Sequence, residues 1–263
     1  MRIDGKVVLI TGASEGVGAA CAAEFARAGA RLALTARSEE GLRRAGGSPH
    51  PRAGNALILP GDLTSEADRR RVVERTIATY GQIDILINNA GVGIYCPAWN
   101  TPMEEARYLM ELNFFGLLGL TQLVVPGMRA QHSGMVVNVG SIGGKMVLPW
   151  MTLYSASKSA VGALTEGMRM ELMRDGVRTL LVCPGYVLTG FQKNVRAGQA
   201  PEKVQKGRRF AITPERCARD IRRGVERNAR TIVTPGVGWL LVLAMRLFPS
   251  LVESRMAEMN GTA

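Results

Sequence analysis

Short apolar runs alternate with amphipathic stretches along most of the chain. Val7-Val8-Leu9-Ile10-Thr11 is nearly all apolar, and a helical pattern follows over 16–28 with Ala, Cys and Phe on one face. The same alternation predicts strands over 31–35, 56–59, 83–88, 134–139, 177–183 and 231–234. It predicts helices over 66–80, 103–129, 153–175 and 216–228. Strands apolar at successive positions are covered on both faces, and helices between them are the crossovers of a parallel sheet. Right-handed crossovers then give an α/β fold: a Rossmann-like, doubly wound parallel sheet with helices on both faces.

Nothing in the pattern divides the chain. It shows no internal repeat, no low-complexity tract and no linker, so its 263 residues are read as one domain. Residues 46–55 are rich in Gly and Pro, and Pro49 and Pro51 are expected to cut short the helix after the second strand. Hydrophobic residues make up 46% and charged residues 21%, which supports a large core and excludes a disordered or fibrous chain.

The first strand runs into Thr11-Gly12-Ala13-Ser14-Glu15-Gly16-Val17-Gly18, and a helix follows. Glycines there permit a tight turn and close backbone approach to a pyrophosphate, which the positive end of the helix attracts. After the second strand stands Thr35-Ala36-Arg37-Ser38. An acidic residue there would accept from ribose hydroxyls and repel a 2′-phosphate. Arg37 instead offers a planar donor fork suited to phosphate, and Ser38 adds a hydroxyl. NADP(H) is therefore favoured over NAD(H), with Glu15 the feature that opposes it unless Arg37 pairs with that carboxylate. The plain alternative for Arg37 is a solvated arginine at a strand end.

Tyr154-Ser155-Ala156-Ser157-Lys158 puts a tyrosine and a lysine on one helix face. A free tyrosine has a pKa of about 10, and a neighbouring ammonium is expected to lower it into a range useful for proton transfer. The motif alone is more often surface decoration. Here Ser141 closes the strand in Asn138-Val139-Gly140-Ser141, thirteen residues upstream, and Asn113 sits among apolar neighbours in Leu112-Asn113-Phe114-Phe115.

These segments, in this order over about residues 5–190, resemble the short-chain dehydrogenase/reductase family. The glycine turn has that family's G-x-x-x-G-x-G spacing. Asn89-Ala90-Gly91 resembles its turn after the fourth strand. Asp62-Leu63 stands where the family places an aspartate beside the adenine, and Pro184-Gly185 with Val187 where its backbone meets the nicotinamide. The resemblance implies a nicotinamide-dependent oxidoreductase acting on a small carbonyl or alcohol. It implies Ser141 as substrate polariser, Tyr154 as acid/base, Lys158 as ribose anchor and pKa tuner, and Asn113 as support for a water relay. It assigns residues 1–190 to cofactor and catalysis and 186–212 to a substrate loop, and it implies dimers or tetramers through the two long helices. Ile142, Val147, Trp150, Tyr186 and Phe191 are candidates for the pocket, each as readily plain core.

The remaining composition bears on partners. The net charge is +11, and residues 193–230 hold twelve Lys/Arg against four Asp/Glu. This basic stretch suits an anionic substrate, nucleic acid, a membrane surface or simply a solvated helix face. Nucleic acid is not expected, because aromatics are only 5% and the stretch contains only Phe210 for base stacking. Residues 231–263 carry a last strand and an apolar tail; 237–245 are strongly apolar, too short to span a bilayer, and open to a pocket, oligomer or lipid role. A basic rim beside an apolar channel suits a lipid-like or acyl-type substrate. Cys21, Cys96, Cys183 and Cys217 show no paired spacing, and His50 and His132 lie far apart. No metal site, disulfide framework or Ser-His-Asp hydrolase is therefore expected, and a reducing, cytoplasmic location is the simplest reading.

Overall fold

Strand β1 (Val7–Thr11) is buried at all five positions and lies in the middle of a seven-stranded sheet. A computed structural model describes residues 1–47, 54–191, 195–198 and 211–259. The other strands are β2 (Arg31–Ala36), β3 (Leu57–Pro60), β4 (Ile85–Asn88), β5 (Gly134–Val139), β6 (Val177–Pro184) and β7 (Thr231–Thr234). Their order is β3-β2-β1-β4-β5-β6-β7, and every pairing is parallel. The expected doubly wound sheet is therefore present. The chain reverses direction across the sheet between β1 and β4, and such a switch opens a crevice at the carboxyl ends of the strands.

The helices are α1 (Gly16–Arg27), α2 (Glu39–Gly46), α3 (Glu66–Tyr80), α4 (Met103–Met110), α5 (Leu117–Ala130), α6 (Thr152–Glu171), α7 (Pro214–Glu226), α8 (Gly238–Leu247) and α9 (Pro249–Met259). One face of the sheet packs Ile10, Leu34, Ile87 and Val137 with Cys21, Phe25 and Ile221. The other packs Leu9, Leu86 and Val136 with Val72, Leu120, Val124 and Met128. Alternate residues of the same strands thus serve two cores, which is why those strands read as unbroken apolar runs.

Two helix readings need correction. The helix expected over 103–129 is interrupted by a π-turn, Glu111–Gly116, between α4 and α5. The helix expected over 153–175 ends at Glu171, followed by a short 3₁₀ turn, Met173–Asp175, and Gly176 at φ 73°. Helix α2 is short, eight residues, as the glycine and proline content after it suggested. His50, Pro49 and Pro51 lie outside the described residues, as do Lys193, Arg208, Arg209 and Phe210 of the basic stretch.

Candidate active site

The glycine turn is made by close approach. The Thr11 hydroxyl at the end of β1 accepts from the backbone N–H groups of Asn89 (2.9 Å) and Ala90 (3.0 Å). The Asn89 side chain donates to the carbonyls of Thr11 (3.0 Å) and Gly12 (3.2 Å). Four bonds thus fasten the Asn89-Ala90-Gly91 turn to the first one. A Cβ on Gly18 would stand 2.2 Å from the Gly12 carbonyl oxygen, and one on Gly12 2.9 Å from the Ala90 Cα. Neither position admits a side chain. Helix α1 begins with Glu15, which makes no side-chain capping bond, and its first turn holds no acidic residue. The N–H groups of Gly16, Val17 and Gly18 lie at a positive helix end without a side-chain capping bond from Glu15, which fits a dinucleotide pyrophosphate. The Val17 side chain itself packs against the core.

The ribose-selecting end is less simple than its sequence. Ser14 backs onto α2, where a Cβ on Gly41 would meet Ser14 Cβ at 2.7 Å. Ser38 caps α2, its hydroxyl oxygen accepting from Gly41 N at 3.1 Å. Arg37 donates to the Tyr108 hydroxyl of α4 at 3.3 Å rather than to Glu15. The Glu15 carboxylate turns instead toward Gly190, 3.1 Å from where a Cβ there would stand. It lines a surface cleft of about 480 Å³ with Gly16, Tyr186, Leu188, Thr189, Gly190 and Pro214. Tyr108 also carries the Arg196 guanidinium 4.4 Å from its ring centre, and Arg196 makes two bonds to Glu105 (2.7 and 3.1 Å). Sequence reasoning missed Glu105, Tyr108 and Arg196, because no local spacing connects α4 to a segment ninety-one residues later. At the end of β3, Asp62 accepts from the Thr64 N–H and hydroxyl, both at 2.9 Å, and Leu63 is buried.

At the other end of the crevice, Ser141, Tyr154 and Lys158 come together. Ser141 follows β5, its hydroxyl oxygen accepts from Gly143 N at 3.0 Å, and it stands close enough to Tyr154 to favour the phenolate. Lys158 Nζ lies 5.9 Å from the Tyr154 ring centre and donates to the Val139 carbonyl at 3.0 Å. A Cβ on Gly91 would come within 3.4 Å of that Nζ, so the turn after β4 passes directly over the lysine. Beside them β6 ends at Pro184, Gly185 N donates to Thr234 O at 2.8 Å, and Val187 bridges to Ile212.

Electrostatics here run against the simple expectation for the tyrosine. Burial pushes the Tyr154 phenol up to about 12, and the neighbouring Ser141 only partly offsets it. Burial pushes the Lys158 ammonium down to about 8 from 10.5. Desolvation dominates at both groups, because both are almost wholly excluded from water. The tyrosine is consequently a proton donor throughout the neutral range.

Asn113 is buried beside the site. Its Oδ1 accepts from Val92 N at 2.9 Å, and its Nδ2 donates to Val92 O (3.0 Å) and Ser157 Oγ (3.1 Å). These three bonds fix the loop after β4. Asn113 lies within the π-turn, where the helix ladder shifts register and a backbone carbonyl is displaced from its usual partner, a common feature at functional sites. Ser157, missed in the sequence, is held in turn by donating to Tyr154 O at 2.7 Å.

The pocket candidates separate. Phe191 meets the Tyr154 ring edge-on at 5.7 Å between centres. Ile94, Tyr95, Leu109 and Met151 complete an apolar wall around it, with Val195 and Ala197. Residues 195–197 are held there by Arg196 N donating to Gly93 O and Tyr95 N donating to Ala197 O, both at 2.9 Å. Ile142 packs with Val233, Val147 is exposed, and Trp150 stands at φ 63° with its carbonyl accepting from Cys96 N.

The family model for short chain dehydrogenases matches residues 6–200. A "Dehydrogenase/reductase SDR family protein 7-like" of Anopheles gambiae is 31% identical over 99% of this chain and 86% of its own length. An "11-beta-hydroxysteroid dehydrogenase-like 2" of Arabidopsis thaliana is 32% identical over 96% and 80%. Among solved structures, a short chain dehydrogenase/reductase of Burkholderia phymatum in complex with NAD superposes with a TM-score of 0.86. It is 25% identical and covers 95% of this chain and 96% of that one. One from Burkholderia cenocepacia J2315 in complex with NADP has a TM-score of 0.79 and 28% identity, over 97% and 99%. The matched length, and a crevice that suits both a pyrophosphate and a proton donor, lead to one conclusion: the chain belongs to the short-chain dehydrogenase/reductase family and is an NAD(P)-dependent oxidoreductase interconverting carbonyl and alcohol groups.

Proposed function

We propose that the protein reduces a ketone to a secondary alcohol with NADPH, or runs the reverse reaction, on a lipid-like or acyl-type substrate in the cytoplasm. The observation that carries this reading is the placement of a buried Tyr154 beside Ser141 at the end of β5, with Lys158 Nζ 5.9 Å from the tyrosine ring centre. When bound, a nicotinamide would supply the hydride. Ser141 would orient the substrate oxygen, Tyr154 would deliver its proton to that oxygen, and Lys158 would hold the ribose and the proton path behind the phenol. Gly12, Ser14, Glu15, Gly16, Val17 and Gly18 would hold the pyrophosphate; Asp62, Leu63, Asn89, Ala90 and Gly91 would hold the adenosine side; Pro184, Gly185 and Val187 would border the nicotinamide. Asn113 supports the site by fixing the loop after β4. The apolar wall around Tyr154, and the hydroxysteroid name of the Arabidopsis relative, support a greasy substrate.

The NADP preference rests on Arg37, which has no carboxylate partner among the described residues, and on Glu15 turning away toward Gly190. NADPH is expected to bind more tightly than NADH, with the gap narrowing as salt is added. Ala36→Asp with Arg37→Ile should reverse the order. Fluorescence titration of both dinucleotides checks this, and equal affinities in the wild type would favour the NAD-linked alcohol or steroid dehydrogenase reading that Glu15 suggests.

A homodimer or tetramer is also proposed. Met103 and Phe115 on the α4–α5 rod, with Met170 and Met173 at the end of α6, are large apolar side chains exposed to solvent. A symmetric pairing would bury them. Light scattering at micromolar concentration should give a multiple of 28.3 kDa, and a monomer would refute the assembly.

A further inference from the structure

Helices α8 and α9 are joined at the single residue Phe248, and the pair turns large apolar side chains outward. Among the described residues, eight of sixteen large exposed hydrophobic side chains fall between Val237 and Leu251, so the exposure is concentrated in one short segment. Only Gly238 and Val242 of α8 are buried. Trp239, Leu240, Leu243 and Leu247 spread over roughly 100° of the helix circumference, the width of a stripe that ordinarily faces a core. The sector continues through Phe248 (63% exposed) to Leu251 (74%). Helix α8 carries one charge, Arg246, in its last turn, and α9 carries Glu253 and the Arg255–Glu258 pair.

We propose that this helix pair is a docking surface for an anionic lipid bilayer. Its shape and charge favour lipid over a second copy of the chain. Leu247, Phe248 and Leu251 carry the exposed apolar surface across the joint, and Leu241 extends it around another side of α8. A fluid hydrocarbon phase can cover an apolar surface that wraps around a helix, whereas a rigid partner covers one flat stripe. The net charge of +11 draws the protein to anionic headgroups, and Arg246 stands where its stem can lie along the apolar surface while the guanidinium reaches phosphate. Helix α8 has ten residues, too few to cross a bilayer, so the helix pair lies in the interface rather than spanning it.

The helix pair leaves the protein at the mouth of the candidate active site. A Cβ on Gly238 would meet Val233 Cγ1 at 2.7 Å and Ile142 Cδ1 at 3.0 Å, and Ile142 directly follows Ser141. Pro235, three residues before Gly238, lies 3.7 Å from a Cβ on Gly185. Docking therefore turns the crevice toward the membrane, where an amphiphilic ketone resides. The docking stands without the proposed reaction; only this consequence for substrate delivery rests on it.

The test is co-sedimentation of the full chain with phosphatidylcholine vesicles, with and without about one-fifth phosphatidylserine. Wild-type protein should sediment with the anionic vesicles, less at high salt, and brominated acyl chains should quench its tryptophan fluorescence. The triple variant Leu247→Glu, Phe248→Glu, Leu251→Glu should weaken vesicle binding by about tenfold or more. Its NADPH binding, read separately, should match the wild type and show that it is folded. Failure of the wild type to sediment with anionic vesicles would overturn the proposal. So would a dimer, seen by light scattering, that the triple variant dissociates while the wild type ignores vesicles, since the face would then belong to a second copy. Vesicle binding without turnover of any lipid-like ketone would leave the docking standing and count against the proposed substrate alone.

Discussion

Tyr154→Phe should lose turnover by about 10²–10⁴-fold while still binding cofactor. The phenol is buried and faced by Phe191, so removing one oxygen leaves the ring packed in place. What disappears is the only proton on that ring that can be transferred. Because burial holds the phenol near 12, it stays protonated well above neutrality, and ketone reduction should not decline through titration of Tyr154 itself below strongly alkaline pH. Alcohol oxidation needs the group to accept a proton and should instead gain with rising pH. Steady-state rates in both directions, alongside a cofactor titration, check these expectations.

Lys158→Met should lose turnover as well, weaken cofactor binding, and yet stabilise the protein without cofactor. Folding moves the ammonium from 10.5 to about 8, which corresponds to about 3 kcal/mol of unfavourable burial. The lost bond to the Val139 carbonyl returns about 1 kcal/mol of this, leaving a net gain of about 1–2 kcal/mol at pH 7. The sign with pH follows from the lowered value. The unfolded chain binds the extra proton between pH 8 and 10.5, so wild-type stability rises across that window. Below pH 8 the penalty is present in full; above pH 10.5 it is gone, and the retained Val139 bond should leave the wild type the more stable by about 1 kcal/mol. Urea melts at pH 7 and 10 measure the difference. A variant less stable than wild type at pH 7 would mean that the Val139 bond and packing outweigh the cost of the buried charge.

What the sequence made legible were features with short spacing. The unbroken apolar runs predicted the sheet because each strand serves two cores, as Leu9 and Ile10 do from opposite faces. The turn from Gly12 to Gly18 was readable because only glycine fits between its own carbonyls and the Asn89 turn. Tyr154 and Lys158 were readable because one helical turn separates them. Interactions between distant segments were not. Nothing near Arg37 indicates that it meets Tyr108, or that Arg196 lies on the same ring. The π-turn left no periodicity signal because one displaced turn barely shifts the apolar stripe of a rod from Met103 to Ala130. Asn113 looked costly among apolar neighbours, which was sound, but its partner is the Val92 backbone, supplied by tertiary packing. The tyrosine pKa was misjudged for the same reason: spacing reveals the lysine, whereas burial depends on the whole fold.

The buried polar chain behind the site shows how packing holds these parts in register. Asn88 donates to Thr121 Oγ1 (3.0 Å) and Asn138 Oδ1 (2.9 Å), and Asn138 donates to Thr165 Oγ1 (2.9 Å). This fastens the ends of β4 and β5 to α5 and α6, and so holds Ser141, which follows β5, beside Tyr154 of α6. Such side chains are costly to bury unless satisfied, and the bonds they make are directional where apolar packing is not.

Single-turnover oxidation of bound NADPH tests the central claim most directly. Enzyme loaded with NADPH is mixed with keto-steroids, β-ketoacyl thioesters or long-chain ketones, and the reduced-nicotinamide fluorescence is followed in wild type and Tyr154→Phe. The account predicts rapid loss of fluorescence in the wild type with at least one of these ketones, slowed when the transferred hydrogen is deuterium, and essentially none in the variant. NADPH consumption by Tyr154→Phe at the wild-type rate would contradict it.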